Sequence, residues 1–260
     1  SFDLTGLPPT QEEIERFLKD EDDQAFQRAI DQFLEKPQFG ERWGRHWLDT
    51  AGYVDTSEAD TDAAAARFAK GKWRYRDWVI RSLNENKPFD QFVREQVAGD
   101  EMVDWRGADE FNQETIDLLV ATTFLRSAAD ETDVSNTADV RHAIAQQTME
   151  VTLNSLLALT MKCARCHDHK YDPIPQTDYY RLLAFFTPAL DPQAWLQPAK
   201  RELPDIPPKK HAEFVKHNAP IEKRIEELES QKKKINEAAQ TQVIEGRYNA
   251  IPEVLREDAP

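Results

Sequence analysis

Cys163-Ala164-Arg165-Cys166-His167, running straight into Asp168-His169-Lys170, is the stretch on which the reading of this chain turns. Cys-x-x-Cys-His is the attachment signature of c-type haem. Two thiols at this spacing reach the two vinyl groups along one edge of a haem and form thioethers. The next residue is then carried over the haem face, where its imidazole can ligate the iron, and histidine is the common proximal ligand. Cys163 and Cys166 are therefore the expected attachment points of one haem c per chain, with His167 the expected proximal iron ligand.

Other readings compete. A Cys-x-x-Cys redox pair belongs in a βαβ context, whereas the flanking sequence here has helical spacing. Half of a structural zinc site would need four Cys/His ligands, and the chain has two cysteines in all. A chance match of a short pattern remains, and against it both cysteines fall inside the motif.

Upstream of the motif, Ile144, Met149, Leu153, Leu156, Leu157 and Met161 recur at helical spacing. They predict a helix from about Thr137 to Lys162, about 39 Å long if unbroken at ~1.5 Å per residue, delivering the motif at its C-terminal end. Further back, Ile116–Leu125 reads as one helix. Pro88 starts another, with Phe89, Phe92, Val93 and Val97 on one face and Gly99 as its stop. Trp73–Asn86 is amphipathic, with Trp78, Val79 and Leu83 inward. Residues 55–70 read as a solvated acidic loop; Asp55, Asp60 and Asp62 lack the glycine and closing glutamate of an EF-hand. Nearer the start, a helix begins near Gly40 with Trp43, Trp47 and Leu48 on one face. Another runs from Ala25 to Pro37, and Thr10 with Glu13 forms a capping box opening a helix through Leu18. The first ten residues read as an extended lead-in.

Downstream, Asp172-Pro-Ile-Pro175 is a turn and Thr177 caps a short helix through Phe186. Pro-rich sequence then forms a linker or surface strap. Beyond it, Ile221, Ile225, Leu228, Ile235 and Ala239 step by four and three, broken by Lys232. That spacing suits a helical hairpin, a helix–helix association through 221–239, or a lone solvated helix. No strand pattern is sustained. The expected fold is all-α: an irregular multi-helix c-type cytochrome domain with long loops over 1–190, a Pro-rich linker over 191–210 and a charged helical arm over 211–260.

Composition narrows the partners. The 260 residues include thirteen Phe, six Trp and six Tyr, ample material for a core. Lys and Arg number 33 against 48 Asp and Glu, a net charge of −15. Nucleic acid and anionic membrane surfaces both need a basic face, so a redox partner with a basic surface, or a neutral substrate, fits better. No apolar run reaches the ~18 residues of a membrane span.

The run Leu157–Leu182, with Met161-Lys-Cys-Ala-Arg-Cys-His-Asp-His-Lys-Tyr-Asp-Pro at its centre, resembles the planctomycete-specific cytochrome family. Further matching phrases are Phe2-Asp-Leu-Thr-Gly-Leu-Pro-Pro-Thr10, Gly40-Glu-Arg-Trp-Gly-Arg-His-Trp-Leu-Asp49, Trp73-Arg-Tyr-Arg-Asp-Trp78 and Pro88–Glu101. Together they cover most of residues 1–190. The resemblance implies a haem domain at the centre of a large secreted multidomain protein, hence a periplasmic or extracytoplasmic location. Neighbouring carbohydrate-handling genes in that family faintly suggest sugar oxidation or demethylation. The loop at 55–70 departs from the family in lacking its glycine. The chain opens on Ser1-Phe2-Asp3 without the pattern of a signal peptide, and the resemblance implies more chain before this point.

A second iron ligand would decide the chemistry. His169 is tied to the proximal side by its closeness to His167, and Met161 shares that limit. His211 and His217 lie in the charged tail, and Met102 and Met149 are further candidates. His142 stands roughly 30 Å from Cys163 along a straight helix. His46, between Arg45 and Trp47, is the leading distal candidate; its alternative is a core histidine bonded to a carbonyl or to Asp49. Arg165, inside the motif, is the best candidate for a haem propionate, ahead of Arg42, Arg45, Arg74 and Arg76. Tyr53, Tyr75 and Tyr171 are either distal proton donors or core. Two strong ligands would make an electron carrier passing electrons between redox partners. An open distal site would make a haem enzyme of peroxidase-like or oxidative chemistry, and whether the protein is an enzyme stays open at this point. A haem that serves mainly as a structural staple is a third reading.

Overall fold

The computed structural model describes residues 1–56, 69–127, 130, 132, 135–198, 201 and 203–250. The part of the acidic loop with Asp60 and Asp62 lies outside these. Every regular element among the described residues is helical, so the fold is all-α. The chain divides into two compact units, Ser1–Asp205 and Ile206–Pro260.

The first unit begins with α1 (Phe2–Thr5), one turn closed by Gly6 in the left-handed region at φ 72°, and not with an extended segment. Four residues are too few to show a helical period, which is why the sequence hides it. α2 (Gln11–Lys19) opens on the expected capping box, Thr10 and Glu13 each accepting the other's backbone N–H. α3 spans Ala25–Leu34 and α4 spans Pro37–Thr50. Pro37 both ends one helix and occupies the first turn of the next, where its missing N–H costs nothing.

α4 crosses α5 (Trp73–Asn84) closely enough that a Cβ on Gly40 would collide with the Ile80 carbonyl. Asn84 pins the crossing, accepting Gly40 N–H at 2.8 Å and donating to Pro37 O at 3.0 Å. α6 (Phe89–Ala98) continues into a 3₁₀ turn at Gly99–Glu101. Gly99 is thus right-handed (φ −59°) and not a left-handed stop; it is small because the Leu118 carbonyl lies where its Cβ would be. α7 (Gln113–Ala121) tightens into 3₁₀ geometry over Thr122–Arg126. Leu48, Ala51, Tyr75, Trp78, Val79, Phe92, Ala121 and Phe124 form the first core. Packed against it, Trp47 Nε1 bonds both Tyr75 Oη and Gln96 Oε1 at 3.0 Å.

α8 runs from Ala138 to Leu157, shorter than its periodicity predicts. Ala158 turns left-handed (φ 53°), and Leu159 N–H closes on Leu153 O. Ala158 N–H also bonds Asn154 O at 3.1 Å, the single bond of an αL stop, here built on alanine, so no glycine announces it. After the cysteine motif, α9 spans Gln176–Leu190, with Pro188 inside its last turn. Met149, Leu153, Met161, Ala164 and Tyr179 make a second core, which joins α8, the motif and α9.

The segment read as linker or strap is bonded to the first unit as far as Asp205. Trp195 Nε1 and Gln197 Nε2 both bond Thr132, Arg201 pairs with Asp130, and Arg74 pairs with Asp205. The second unit holds one continuous helix, α10 (Pro208–Ala250), where the sequence also allowed a hairpin. Among the described residues no helix is long and apolar enough to cross a membrane.

Candidate haem-attachment turn

Between the end of α8 and the start of α9 the chain makes a 3₁₀ turn at Lys162–Arg165. Met161 and Ala164 are buried in the second core, and they anchor the turn from below. Cys163 and Cys166 are three apart, the separation at which side chains of a 3₁₀ turn share a side. Both are free thiols and both are exposed. The core therefore holds the alanine of Cys-Ala-Arg-Cys and leaves the sulfurs to solvent.

The backbone after the turn is fixed by side chains. Arg165 O accepts Gln176 Nε2 and Tyr180 Oη, each at 3.0 Å. Asp168 Oδ1 accepts Gln176 N–H at 2.8 Å and so caps α9, the task the sequence assigns to Thr177. His169 Nδ1 accepts Asp172 N–H at 3.0 Å, and His169 N–H bonds Ile174 O. His169 is thus folded into its own loop. Beneath, Tyr179 Oη donates to Glu150 at 2.9 Å and joins α9 to α8. Burial, and then that carboxylate, hold the Tyr179 phenol well above its ordinary pKa.

His167 is exposed, and its Nδ1 lies 2.8 Å from Asp168 O. A carbonyl oxygen only accepts, so Nδ1 carries the proton of this bond, and in the neutral ring Nε2 is the nitrogen with the free lone pair. That is the tautomer a metal-ligating histidine needs, with the second ring nitrogen fixed by a carbonyl. α6 and the last turns of α8 flank a groove lined by Phe89, Val93, Leu153, Leu156 and Leu157, with Asp90, Arg94 and Thr152 also on its wall. Leu153 is shared with the core that holds Ala164. Two free thiols and an imidazole with Nδ1 on a carbonyl are donors of the kind a thioether-bound haem takes.

The other candidates separate. His46 is exposed on α4, edge-on to Trp43 at 5.5 Å. It is therefore not a core histidine, and Asp49 pairs with Arg45 instead, at 3.8 Å. One helical turn beyond His46, Thr50 O accepts Ser155 Oγ at 2.9 Å, so α4 meets the end of α8 there. Met149 and Met161 are buried in the second core, while Met102 and His142 are exposed elsewhere. His211 and His217 are on α10. Arg165 Nη1 bonds Gln146 Oε1 at 3.3 Å and has no acidic partner among the described residues. Arg74 and Arg76 are engaged with Asp205, Asp55 and Asp77. Tyr75 is fully buried in the first core, Tyr53 bonds Asp55 at 2.5 Å and Tyr171 is exposed. Among the described residues no three His, Cys, Asp or Glu side chains come together as a metal cluster.

The family model named PSCyt2, described as a protein of unknown function (DUF1549), matches residues 1–190. The chain belongs to this family. The match takes in every helix from α1 to α9 and ends where α9 ends, so the attachment turn is inside the PSCyt2 region. No curated protein and no solved structure matches the chain.

Sequence reasoning singled out the two cysteines and His167 but gave no role to Asp168, Gln176 or Tyr180. Their signal was present only as spacing: an aspartate eight residues before a helix whose own N-cap is Pro175.

Proposed function

We propose that this chain is an extracytoplasmic c-type cytochrome domain that carries one haem and passes electrons between redox partners. The observation that carries the reading is the pair of free thiols on one side of a buttressed turn, followed by a histidine whose Nδ1 is already bonded to a carbonyl. Cys163 and Cys166 would each add S–H across a vinyl group, and His167 would present Nε2 to the iron. Haem, once bound, supplies a one-electron change at the metal. What the chain contributes is placement: Ala164 and Met161 hold the turn down, Asp168 fixes the imidazole's tautomer and caps α9, and Arg165 offers a guanidinium to a carboxylate. The net charge of −15 favours a partner with a basic surface.

The second reading, a haem enzyme, rests on where the distal candidates lie. Met149, Met161 and His169 are engaged in packing or in their own loop. His46, exposed on the helix that meets the end of α8, is then the ligand on which the electron-carrier reading depends. A spectrum of the haem-loaded protein separates the two. Low-spin bands in both oxidation states, indifferent to carbon monoxide and lost in His46→Ala, identify the carrier. High-spin bands that shift with carbon monoxide identify an open iron and overturn it.

A further inference from the structure

Within α10 the residues Phe214, Ile221, Ile225, Leu228 and Ile235 are all exposed, from 47 % at Leu228 to 67 % at Ile235. With Ile225 placed at a and Leu228 at d of a heptad, Phe214, Ile221 and Ile235 fall at d. Asn218, Lys232 and Ala239 then fall at a. Of the flanking positions, His217, Arg224, Gln231 and Ala238 stand at g, and Val215, Glu222, Glu229 and Asn236 at e, so the charges of the central heptads are Arg224 at g and Glu222 and Glu229 at e. In a parallel, in-register pair each g residue faces the e residue five places later on the other helix. His217 then faces Glu222, and Arg224 faces Glu229, each twice by symmetry. An antiparallel pair would set e against e, glutamate against glutamate.

We propose that α10, from Phe214 to Gln242, pairs with a second copy of this chain as a parallel two-stranded coiled coil. The opposite charges of Arg224 and Glu229 at facing g and e positions support that occupant. Within such a seam the polar layers Asn218 and Lys232 would fix register and oligomeric state at a cost in stability. Pro220 is at c, on the outer side, and does not enter the seam. The pair Arg224–Glu227 at 3.0 Å is exposed and readily exchanged for one across the interface. Beyond Gln242, Val243 and Ile244 step off the stripe, and the pairing ends there. The proposal is independent of haem.

Sedimentation equilibrium of the full 260-residue chain tests it. At about 100 μM the account expects a dimer that dissociates on dilution. Glu229→Lys sets lysine opposite Arg224 and should weaken the dimer about tenfold, as should Arg224→Glu. Mixing those two variants should restore it, because both 224–229 pairs then have opposite signs. Leu228→Asp, in the seam, should abolish association with the rest of the chain still helical by circular dichroism. A monomer at about 100 μM overturns the proposal. So does a dimer indifferent to Leu228→Asp, and so does tightening in Glu229→Lys, which would mark antiparallel pairing.

Discussion

Asp168 does two things at once: its carbonyl orients the His167 ring and its carboxylate caps α9 at Gln176. Asp168→Ala should therefore cost about 1 kcal/mol of stability through the lost cap, read as a lower midpoint in thermal unfolding. Asp168→Asn should recover most of it. An unchanged midpoint in the alanine variant would show that the cap contributes nothing. The two cysteines and His167 were legible because they form one contiguous pattern of residue types, Cys-x-x-Cys-His. Asp168 was not, because its partner amide lies across a loop, and a capping contact over eight residues leaves no short-range pattern. Arg165 was legible for its place in the motif, but not for its bond to Gln146, which depends on how the turn sits against α8.

Helices were legible where their apolar period was strong, and misjudged where a terminus depended on one unusual backbone angle. The break after Leu157 is the clearest instance: Ala158 adopts a conformation that L-residues other than Gly and Asn avoid. Ala158→Gly should stabilise the protein by about 0.5–1 kcal/mol, after allowance for glycine's freer unfolded chain. Chemical denaturation reads this, and a loss of stability would mean the left-handed stop is misassigned. At the α4–α5 crossing the opposite holds. Gly40→Ala forces the Ile80 carbonyl away and should cost roughly 1–3 kcal/mol. At α2, a bond to Lys36 and then to Thr10 N–H depresses the Glu13 carboxyl below its ordinary 4.5. A depressed acid contributes stability above its unfolded value and loses it as pH falls through the folded one. The α2 cap should therefore weaken only below about pH 4.5. Glu13→Gln should remove that pH dependence, whereas Thr10→Ala keeps the N–H that Glu13 accepts and should cost about 1 kcal/mol through the lost hydroxyl cap alone.

The first unit holds two cores among the described residues, and each contains a tyrosine whose phenol is held protonated. Burial raises Tyr75 and Tyr179 well above the ordinary value of 10, and burial with the Asp55 carboxylate does the same for Tyr53. A group raised in the folded state contributes stability below its unfolded pKa and loses it as pH climbs toward the folded one. Three of the six tyrosines should thus resist ionisation above pH 10 and titrate only as the helices melt. Tyrosinate absorbance followed beside circular dichroism checks this. Burial also lowers Lys72 and Arg126, the latter to about 10, which acts in the opposite sense on stability but leaves the tyrosinate signal untouched. At this scale the sequence conveyed the helical class, while the bonding of 191–205 to the first unit stayed hidden, since Pro-rich composition says nothing of Thr132 and Asp130 as partners. Covalent haem on Cys163 and Cys166 is tested by producing the protein with a cytochrome c assembly system and denaturing it. One haem per chain should stay with the unfolded polypeptide and be lost in the Cys163→Ala, Cys166→Ala double variant. Haem that separates on denaturation, or never binds, would contradict that attachment.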